Sequence, residues 1–327
     1  MPAFRARQIY DWIWKQGVLS FSLMKNLPLE ARQRLEACFD FSALLEKGRE
    51  QSNDGTIKIL MEARDGVVVE GVLIPAPGRT TACISTQAGC PLACTFCATG
   101  QGGFHRDLLA SEIVDEYRIL NRLSMEQHGI PLGNIVYMGM GEPFLNYQET
   151  LASVRHIVRE GNGHGMSASR ITLSTVGIPE GIRALATEDV KVHLALSLHS
   201  ALQEKRERLM PIARKYTLTE ISKALSDYYR STGRRITMEY LLLGNVNDGE
   251  QDLRALATFC KSFPVKVNLI EYNSFPGSSF RAPESGTALK WVEGLKRRNM
   301  VVHIRKSKGN DIAAACGQLA GKLTNES

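Results

Sequence analysis

The alternation of apolar and polar residues changes along the chain, and each change predicts a different kind of element. The first 45 residues place apolar side chains at spacings that approximate one helical face, at Phe4, Ile9, Trp12 and Ile13. Residues 56–75 read TIKILMEARDGVVVEGVLIP, two β-rich runs separated by an Asp-Gly dipeptide typical of hairpin turns. We therefore expect a helical accessory domain over residues 1–45 and a β-hairpin extension over residues 46–75.

From residue 76 onward, short apolar and β-branched runs alternate with helical patterns. Six runs come first and a seventh follows them: TTACIST, NIVYMGM, RITLSTV, VKVHLALSL, RRITMEYLLL, VKVNLIEY and then MVVHIRK. Strands that alternate with helices form parallel sheets through right-handed crossovers, and near-continuous apolar strands are covered on both faces. We predict an α/β fold whose body, over residues 76–327, is a partial (β/α)6 barrel.

Two helices of this body have recognisable ends. Thr217 and Glu220 form a capping-box pattern, and Gly233 is a stop signal. Asp248 is expected to open another helix, with Cys260 on its apolar side. Since a lone cysteine on such a face is usually a small buried hydrophobe, we expect Cys260 to lie in the core.

Small, polar or glycine-rich segments follow most of the predicted strands. They are STQAGC, GMGEP, STVG, SLHS, LGNVND and YNSFPG. The carboxyl ends of parallel strands meet at one rim, where the ligands of α/β barrels bind. The sequence therefore predicts a site at this rim.

Composition is ordinary for a globular protein, with 43% hydrophobic and 23% charged residues. No stretch approaches the ~18 apolar residues of a membrane span, and the N-terminus lacks the apolar core of a signal peptide. We expect a cytoplasmic protein with no membrane partner. A formal net charge of +6 fits a nucleic-acid partner and equally fits an ordinary solvated surface.

Three cysteines, Cys90, Cys94 and Cys97, are crowded into GCPLACTFCATG. In a reducing compartment, clustered cysteines indicate metal binding or catalysis, and soft thiolates select zinc or iron–sulfur clusters. The spacing C-x3-C-x2-C has no second pair downstream, although His105 is a candidate fourth ligand for zinc. A four-iron cluster normally has four cysteine ligands, so three would leave one iron open to a substrate.

Longer motifs surround these cysteines. They are CISTQAGCPLACTFCATGQGGFHRDL, MGMGEPFLN, ITLSTVGI, LSLHS, EYLLLGNVND, NLIEYNSFPG and RKSKGNDIAAACGQLAG. With PAFRARQIYDWIWKQG they closely resemble the RlmN/Cfr family of radical S-adenosylmethionine (SAM) RNA adenine methyltransferases, over essentially the whole chain. The match is closer to RlmN, which methylates C2 of adenine, than to Cfr, which methylates C8 and uses the same cysteines. A non-catalytic, zinc-stabilised RNA-binding module is the alternative of another class.

The resemblance implies one [4Fe-4S] cluster bound by the three clustered cysteines and by SAM. Phe96 would pack beside the adenosine of SAM. The family's other SAM-binding positions correspond to Gly141, Glu142, Ser174, Ser197, Leu198, His199 and Asn273. We expect these residues to surround the cofactor.

The resemblance also implies a catalytic scheme with an S-methylcysteine intermediate. One SAM methylates Cys316, and a second is cleaved to a radical that takes hydrogen from the S-methyl group. The resulting methylene radical adds to C2 of adenine, and Glu70 removes the C2 proton. Cys83 then attacks Cys316, which forms a disulfide and releases the methylated RNA. Cys38 matches no motif and is expected, like Cys260, in a helix core.

The expected RNA partners are 23S rRNA at the peptidyl-transferase centre and adenine 37 of some tRNAs. Two basic groups are candidates for phosphate contact: Arg305, Lys306 and Lys308 in RKSKG, and Arg5, Arg7 and Lys15 in the accessory domain. An electron donor such as flavodoxin or ferredoxin is also implied. Family members usually begin some tens of residues earlier, so we expect a short accessory domain.

Overall fold

The computed structural model describes residues 2–16, 18, 20–159 and 165–322, and the elements below belong to this part. The strands are β1 Leu44–Gln51, β2 Ile57–Ala63, β3 Val68–Ala76, β4 Arg79–Ile84, β5 Gln87–Gly89, β6 Phe104–Asp107, β7 Asn134–Tyr137, β8 Ile171–Thr175, β9 His193–Ser197, β10 Ile236–Leu242, β11 Val265–Glu271 and β12 Val301–Arg305. The α-helices are α1 Ala3–Tyr10, α2 Leu29–Cys38, α3 Ala98–Gln101, α4 Ala110–His128, α5 Tyr147–Val158, α6 Pro179–Thr187, α7 Gln203–Leu209, α8 Leu218–Thr232, α9 Glu250–Phe259 and α10 Thr287–Lys296.

One sheet runs through the molecule in the order β1-β2-β3-β4-β7-β8-β9-β10-β11-β12. From β4 to β12 every neighbouring pair is parallel, with helices between the strands, as the α/β prediction requires. The run MVVHIRK pairs with β11, with Val302 opposite Val267, so the parallel part has seven strands rather than six. Because β1 and β12 are free edges, the sheet does not close, and the partial barrel is confirmed.

The predicted hairpin is present and belongs to a larger extension. β2 and β3 pair antiparallel across the turn at Asp65-Gly66, where Gly66 has φ +83°. β1 precedes them and was not predicted, since LLEKGREQ has no apolar residue after Leu45. β3 continues into the barrel sheet, with Val72 opposite Cys83 on β4. The predicted boundary at residue 75 falls within β3, and the domain limits stay predictions.

The N-terminal helices have a small core of their own. It consists of Phe21, Met24, Leu27 and Leu35, against which Ile9, Trp12 and Ile13 pack. Phe4 was predicted on this face but is 57% exposed. Cys38 was predicted in the core and is exposed, because α2 ends at this residue, whereas Cys260 is buried as predicted. The side chain of Lys15 lies outside the described residues.

The helix ends follow the sequence signals closely. Thr217 caps α8 through its hydroxyl, which accepts from the amide of Glu220 at 3.3 Å, and Gly233 ends the helix with φ +65°. α9 begins two residues later than predicted, because the Asp248 carboxylate accepts from the amide of Asn245 at 3.0 Å and closes the preceding turn. No helix in the described part of the chain is long and apolar enough to cross a membrane.

Candidate active site

A cavity opens at the carboxyl ends of the parallel strands, where the sequence predicted a site. Ten of the thirteen predicted site residues line it: Cys83, Cys90, Cys94, Cys97, Gly141, Glu142, Ser174, Ser197, His199 and Cys316. Phe96 and the basic residues Arg305, Lys306 and Lys308 also line it. Residues more than two hundred positions apart therefore share one pocket, as the crossover topology dictates.

The three clustered cysteines lie on a tightly packed loop between β5 and α3. Gly89 begins the loop with φ +77°, and a Cβ there would lie 2.1 Å from the carbonyl oxygen of Gly103. Burial raises the pKa of Cys90 to about 12 and that of Cys94 well above its usual value. Such thiols lose their protons when they bind a metal, which replaces the missing countercharge.

The zinc alternative finds no support in this geometry. His105 lies on β6, is exposed and does not line the cavity. Within the described residues, no group of three or more His, Cys, Asp and Glu side chains has an arrangement that could hold a metal ion. The thiolates of a four-iron cluster bind different irons and need not converge on one point.

The loop after β7 presents backbone to the cavity. Gly141 has φ +96°, and a Cβ there would lie 2.5 Å from the Cβ of Gln87, so only glycine fits. Glu142 is buried with both oxygens fixed, since Oε1 accepts from the amide of Phe144 at 3.0 Å and Oε2 from that of Val176 at 2.9 Å. Burial raises the pKa of Glu142 to about 7.

His199 follows β9 in a left-handed conformation, with φ +53°. Its Nδ1 accepts from the amide of Leu241 at 3.1 Å, which leaves the ring proton on Nε2. Burial, and then the charge of Arg206, lowers the pKa of His199 to about 3, so the ring is neutral at physiological pH. The ring meets Phe96 edge-on, with centroids 5.0 Å apart.

Two predicted SAM positions, Leu198 and Asn273, are not among the residues that line the cavity. Leu198 is fully buried, and its amide donates to the carbonyl of Glu239 at 3.1 Å. Asn273 follows β11 and is buried, and its Nδ2 has no hydrogen-bond partner among the described residues. A buried amide donor is costly without an acceptor, so Asn273 fits a position that a ligand completes.

Cys83 and Cys316 are neighbours in the cavity, although 233 positions separate them in the sequence. Burial and then the adjacent Cys316 thiol raise the pKa of Cys83 to about 12. The Cys316 thiol also raises the pKa of Arg305. Arg305, a candidate for phosphate contact, lines the cavity beside these thiols, and its guanidinium lies 3.7 Å from the carboxylate of Glu239. Lys306, the next residue, is exposed.

Glu70 does not line the cavity. It lies on β3 with its side chain fully buried, and its Oε2 accepts from the amides of Ala320 at 2.8 Å and Gly321 at 3.1 Å. The C-terminal segment therefore covers this carboxylate. A solvent-facing glutamate, the ordinary expectation for a strand, is not what the structure has.

Sequence reasoning missed two charged residues at the site. Arg206 is fully buried on α7 and donates to the carbonyl oxygens of Val176 and Leu198. These two residues lie in STVG and SLHS, two of the segments predicted to contact SAM. Glu239 is buried within β10 beside Arg305. The signal for Glu239 was a single charge inside the apolar run ITMEYLL, whereas nothing local distinguished Arg206.

Comparison with known proteins agrees with this geometry. Residues 84–257 match the radical SAM superfamily, and residues 2–40 match the ribosomal RNA large subunit methyltransferase N-terminal domain. The probable dual-specificity RNA methyltransferases RlmN of Flavobacterium johnsoniae and Thermotoga neapolitana are 43% and 46% identical to the chain. Each alignment covers 98% of this chain and 91% or 92% of the relative. A radical SAM methyltransferase from Sphaerobacter thermophilus superposes with a TM-score of 0.94 at 39% identity, covering 98% of this chain and 94% of that one.

The chain belongs to the RlmN family of radical SAM RNA methyltransferases. Its cofactors are therefore a [4Fe-4S] cluster and SAM. The residues present fit both groups, since three thiols share the cavity with the glycine backbone of Gly141, and the buried Asn273 amide after β11 has no hydrogen-bond partner among the described residues.

Proposed function

We propose that the protein methylates C2 of an adenine in 23S rRNA and of adenine 37 in tRNA. Cys316 and Cys83 line the same cavity as Cys90, Cys94 and Cys97, and this observation carries the proposal. A methyl-carrying thiol must be within reach of the cofactor that loads it and of the thiol that releases its product. The relatives' dual-specificity names support two RNA substrates.

Cys316 is the methyl acceptor in this proposal. A thiolate is a good nucleophile for displacement, and the Arg305 guanidinium lines the same cavity as Cys316. The bound cluster and SAM supply the methyl group and the one-electron chemistry that an electron-poor ring carbon requires. Cys90, Cys94 and Cys97 would hold the cluster, and Asn273 would donate its free amide hydrogen bond to SAM.

In this proposal, Glu70 removes the C2 proton and Cys83 releases the methylated RNA. Burial raises the pKa of Glu70, which makes its carboxylate a stronger proton acceptor for the C2 proton. Because the amides of Ala320 and Gly321 cover Glu70, proton removal requires these two hydrogen bonds to open, while Lys58 still binds the carbonyl of Lys322.

The unpaired electron of the adduct would return to the bound cluster. Cys83 then attacks the sulfur of Cys316, which breaks the bond between that sulfur and the methylene carbon, and the carbon takes a proton to become the methyl group. A thiol reductant reduces the Cys83–Cys316 disulfide before the next turnover.

RNA would approach the rim of the cavity, with its target base unstacked. Lys306 and Lys308 line this rim, and Arg7 is exposed on the N-terminal region that matches a ribosomal RNA methyltransferase domain. The reaction belongs in the cytoplasm, where the RNA is and where thiols stay reduced. The electron donor is a flavodoxin or a ferredoxin in this proposal.

Nucleoside mass spectrometry tests the proposal. The protein, purified without oxygen, is incubated with 23S rRNA, SAM and a reductant, and the RNA is digested to nucleosides. We expect 2-methyladenosine from wild type and none from Cys316→Ala. Formation of 8-methyladenosine would overturn the C2 assignment, and methylation by Cys316→Ala would overturn the carrier.

A further inference from the structure

The segment that carries Cys316, residues 309–322, is held at both ends by strands β1–β3 and the turn between β1 and β2. At its start, Asp311 accepts from the hydroxyl of Ser52 at 2.5 Å and from the amide of Asn53 at 3.0 Å. The amide of Gly309 donates to Asp54 at 3.0 Å. A turn of the β extension therefore binds the segment seven residues before Cys316.

Gly309 makes this contact close. Its φ is +68°, and a Cβ there would lie 2.9 Å from the methyl carbon of Thr56 and 2.8 Å from the Cβ of Ala314. No other residue fits this approach without a shift of its neighbours. The start of the segment is thus seated on the extension by shape as well as by hydrogen bonds.

The far end of the segment meets a buried group of charges. Lys58 on β2 lies between Glu50, 3.1 Å away, and Glu70, 3.3 Å away, and its Nζ donates to the carbonyl of Lys322 at 3.3 Å. Glu70 accepts from the two amides before Lys322. The side chains of Lys58, Glu50 and Glu70 are 1%, 8% and 0% exposed.

Such a group is costly as packing alone. A buried ion pair rarely stabilises a fold more than apolar residues of the same volume, and β2 is otherwise apolar apart from Glu62. Instead, the hydrogen bonds that the Lys58 and Glu70 side chains form with the segment all involve its backbone groups. The cost of burial is explained if the charges fix where the segment lies.

Between the two ends, the segment faces the cluster loop. The carbonyl of Gly317 accepts from the amide of Ala98 at 2.7 Å, and that of Leu319 accepts from the hydroxyl of Thr99 at 2.6 Å. Cys316 therefore lies on a span that is tied down before it and after it, with its middle turned towards the cavity.

We propose that strands β1–β3 with their connecting turns form a docking frame that positions Cys316 opposite Cys83, with Asp311 and Lys58 as the positioning residues of its two anchors. The frame serves the methyl-carrying role given to Cys316 under the proposed function, and it rests on that role. Neither Asp311 nor Lys58 lines the cavity, so each acts through the segment and not on the RNA.

Disulfide formation between Cys83 and Cys316 measures this positioning without any methylation. The anaerobically purified holoprotein is treated with diamide, and the Cys83–Cys316 peptide is quantified over time by mass spectrometry. We expect Asp311→Ala, whose side chain is exposed, to slow the reaction about fivefold, the factor expected for losing one or two hydrogen bonds. Lys58→Met should slow it further, because the far anchor is lost together with the charge that pairs Glu50 and Glu70.

Lys47→Ala is the matched control, since Lys47 forms an exposed ion pair with Glu62 at 2.6 Å on the same two strands. It should react at the wild-type rate. If Lys58→Met does not fold, judged by circular dichroism, Asp311→Ala decides alone. A wild-type rate in Asp311→Ala overturns the docking frame.

Turnover kinetics give an independent readout. In Asp311→Ala, kcat should fall while KM for RNA and for SAM stays unchanged, because binding surfaces are untouched; a change confined to KM contradicts a positioning role. If wild type makes no methylated RNA, the proposed function is wrong. The rates of Cys83–Cys316 disulfide formation in the variants still test the docking frame in that case.

Discussion

At the scale of single residues, the thiols of the cavity have separable tasks. Cys90, Cys94 and Cys97 leave no spare thiolate among the clustered cysteines. We expect Cys94→Ala to lose cluster assembly and all RNA methylation, with iron and sulfide content as the measurement. Cys260→Ala, which alters a buried cysteine far from the motif, is the control and should keep its iron. Full iron content in Cys94→Ala would remove the basis for the cluster assignment.

Cys83 is needed only after the RNA is bonded to the protein through Cys316. Cys83→Ala should therefore keep its cluster, accept a methyl group and stall as a protein–RNA conjugate. The conjugate should survive denaturation and disappear on nuclease digestion, as followed by gel electrophoresis. Cys83→Ala/Cys316→Ala should form none, and normal turnover by Cys83→Ala would show that another group resolves the adduct.

Glu116 gives a pH-dependent prediction. It is fully buried on α4, accepts from the amide of Ser85 at 3.1 and 3.0 Å, and burial raises its pKa well above the usual value. The folded state therefore holds this proton to a higher pH than the unfolded chain does. The stability gained from the neutral acid is present below the unfolded pKa, about 4.5, and is lost as pH rises towards the folded pKa.

Glu116→Gln removes this loss, because an amide does not ionise. Its melting temperature should exceed that of wild type at pH 7.5, and the difference should shrink towards pH 4.5. Glu126→Gln is the control, since Glu126 is half exposed on the same helix and should show no such trend. A difference that does not vary with pH would assign the effect to packing.

Single residues also show which features of the site could not be predicted from the sequence. The cysteine spacing and the glycine and serine motifs point to residues that the structure gathers in one cavity. The inward placement of Arg305 beside Cys316 and Glu239, and the burial of Arg206, were not predicted. From sequence alone, a charged residue is predicted to be exposed. Its burial becomes tolerable only when it has partners, and these lie far away in the chain and are visible only in the folded structure.

At the scale of elements, the loop after β7 is built around one glycine. Gly141→Ala places a methyl group 2.5 Å from Gln87 and forces a side chain into φ +96°. We expect SAM affinity to fall at least about tenfold, since strain of 1–2 kcal/mol adds to the clash. Isothermal titration calorimetry with the holoprotein measures it.

Gly66→Ala is the matched control for that loop. Gly66 also has a positive φ, +83°, but a Cβ there meets nothing within 4 Å. It should cost some stability and leave SAM affinity intact. Equal losses of affinity in the two variants would mean that backbone strain anywhere, and not the shape of this loop, weakens binding.

Elements were predicted where periodicity is strong. The seven apolar runs became β4 and β7–β12, and the capping box of α8 was correct to the residue. β1 escaped because LLEKGREQ has no apolar residue after Leu45, so no alternation of apolar and polar positions marks it as a strand. The start of α9 was misplaced because Asp248 has two local uses, a helix cap and a turn, between which spacing cannot choose.

At the scale of the whole molecule, RNA affinity should depend on salt through a few exposed cations. Lys306→Ala, at the rim of the cavity, and Arg7→Ala, on the N-terminal helices, should each weaken RNA binding and reduce the salt slope by about 1. Fluorescence anisotropy at several salt concentrations measures both quantities.

Lys296→Ala is the control for charge. Lys296 is exposed at the carboxyl end of α10, which in a crossover unit lies at the opposite rim from the cavity. Its removal changes net charge by the same amount and should leave the slope unchanged. An equal effect from all three variants would indicate diffuse attraction without a defined RNA path.

The overall architecture was predictable, and its long-range contacts were not. Alternating strands and helices predict the partial barrel, which the structure and the relatives confirm. The contacts of Lys58 with Lys322, and of Ser52 with Asp311, join residues about 260 positions apart. No local pattern encodes such pairs, because each partner alone is an ordinary polar residue.

The exposed position of Cys38 has a practical consequence. All seven cysteines lie in described residues, and Cys38 is the exposed one, while the other six are buried or half-buried. A maleimide dye at limiting concentration should therefore attach to the end of α2 and leave the cavity thiols unmodified. The fluorophore would sit on the N-terminal helical region, outside the barrel, and would report by energy transfer how this region moves when labelled RNA arrives.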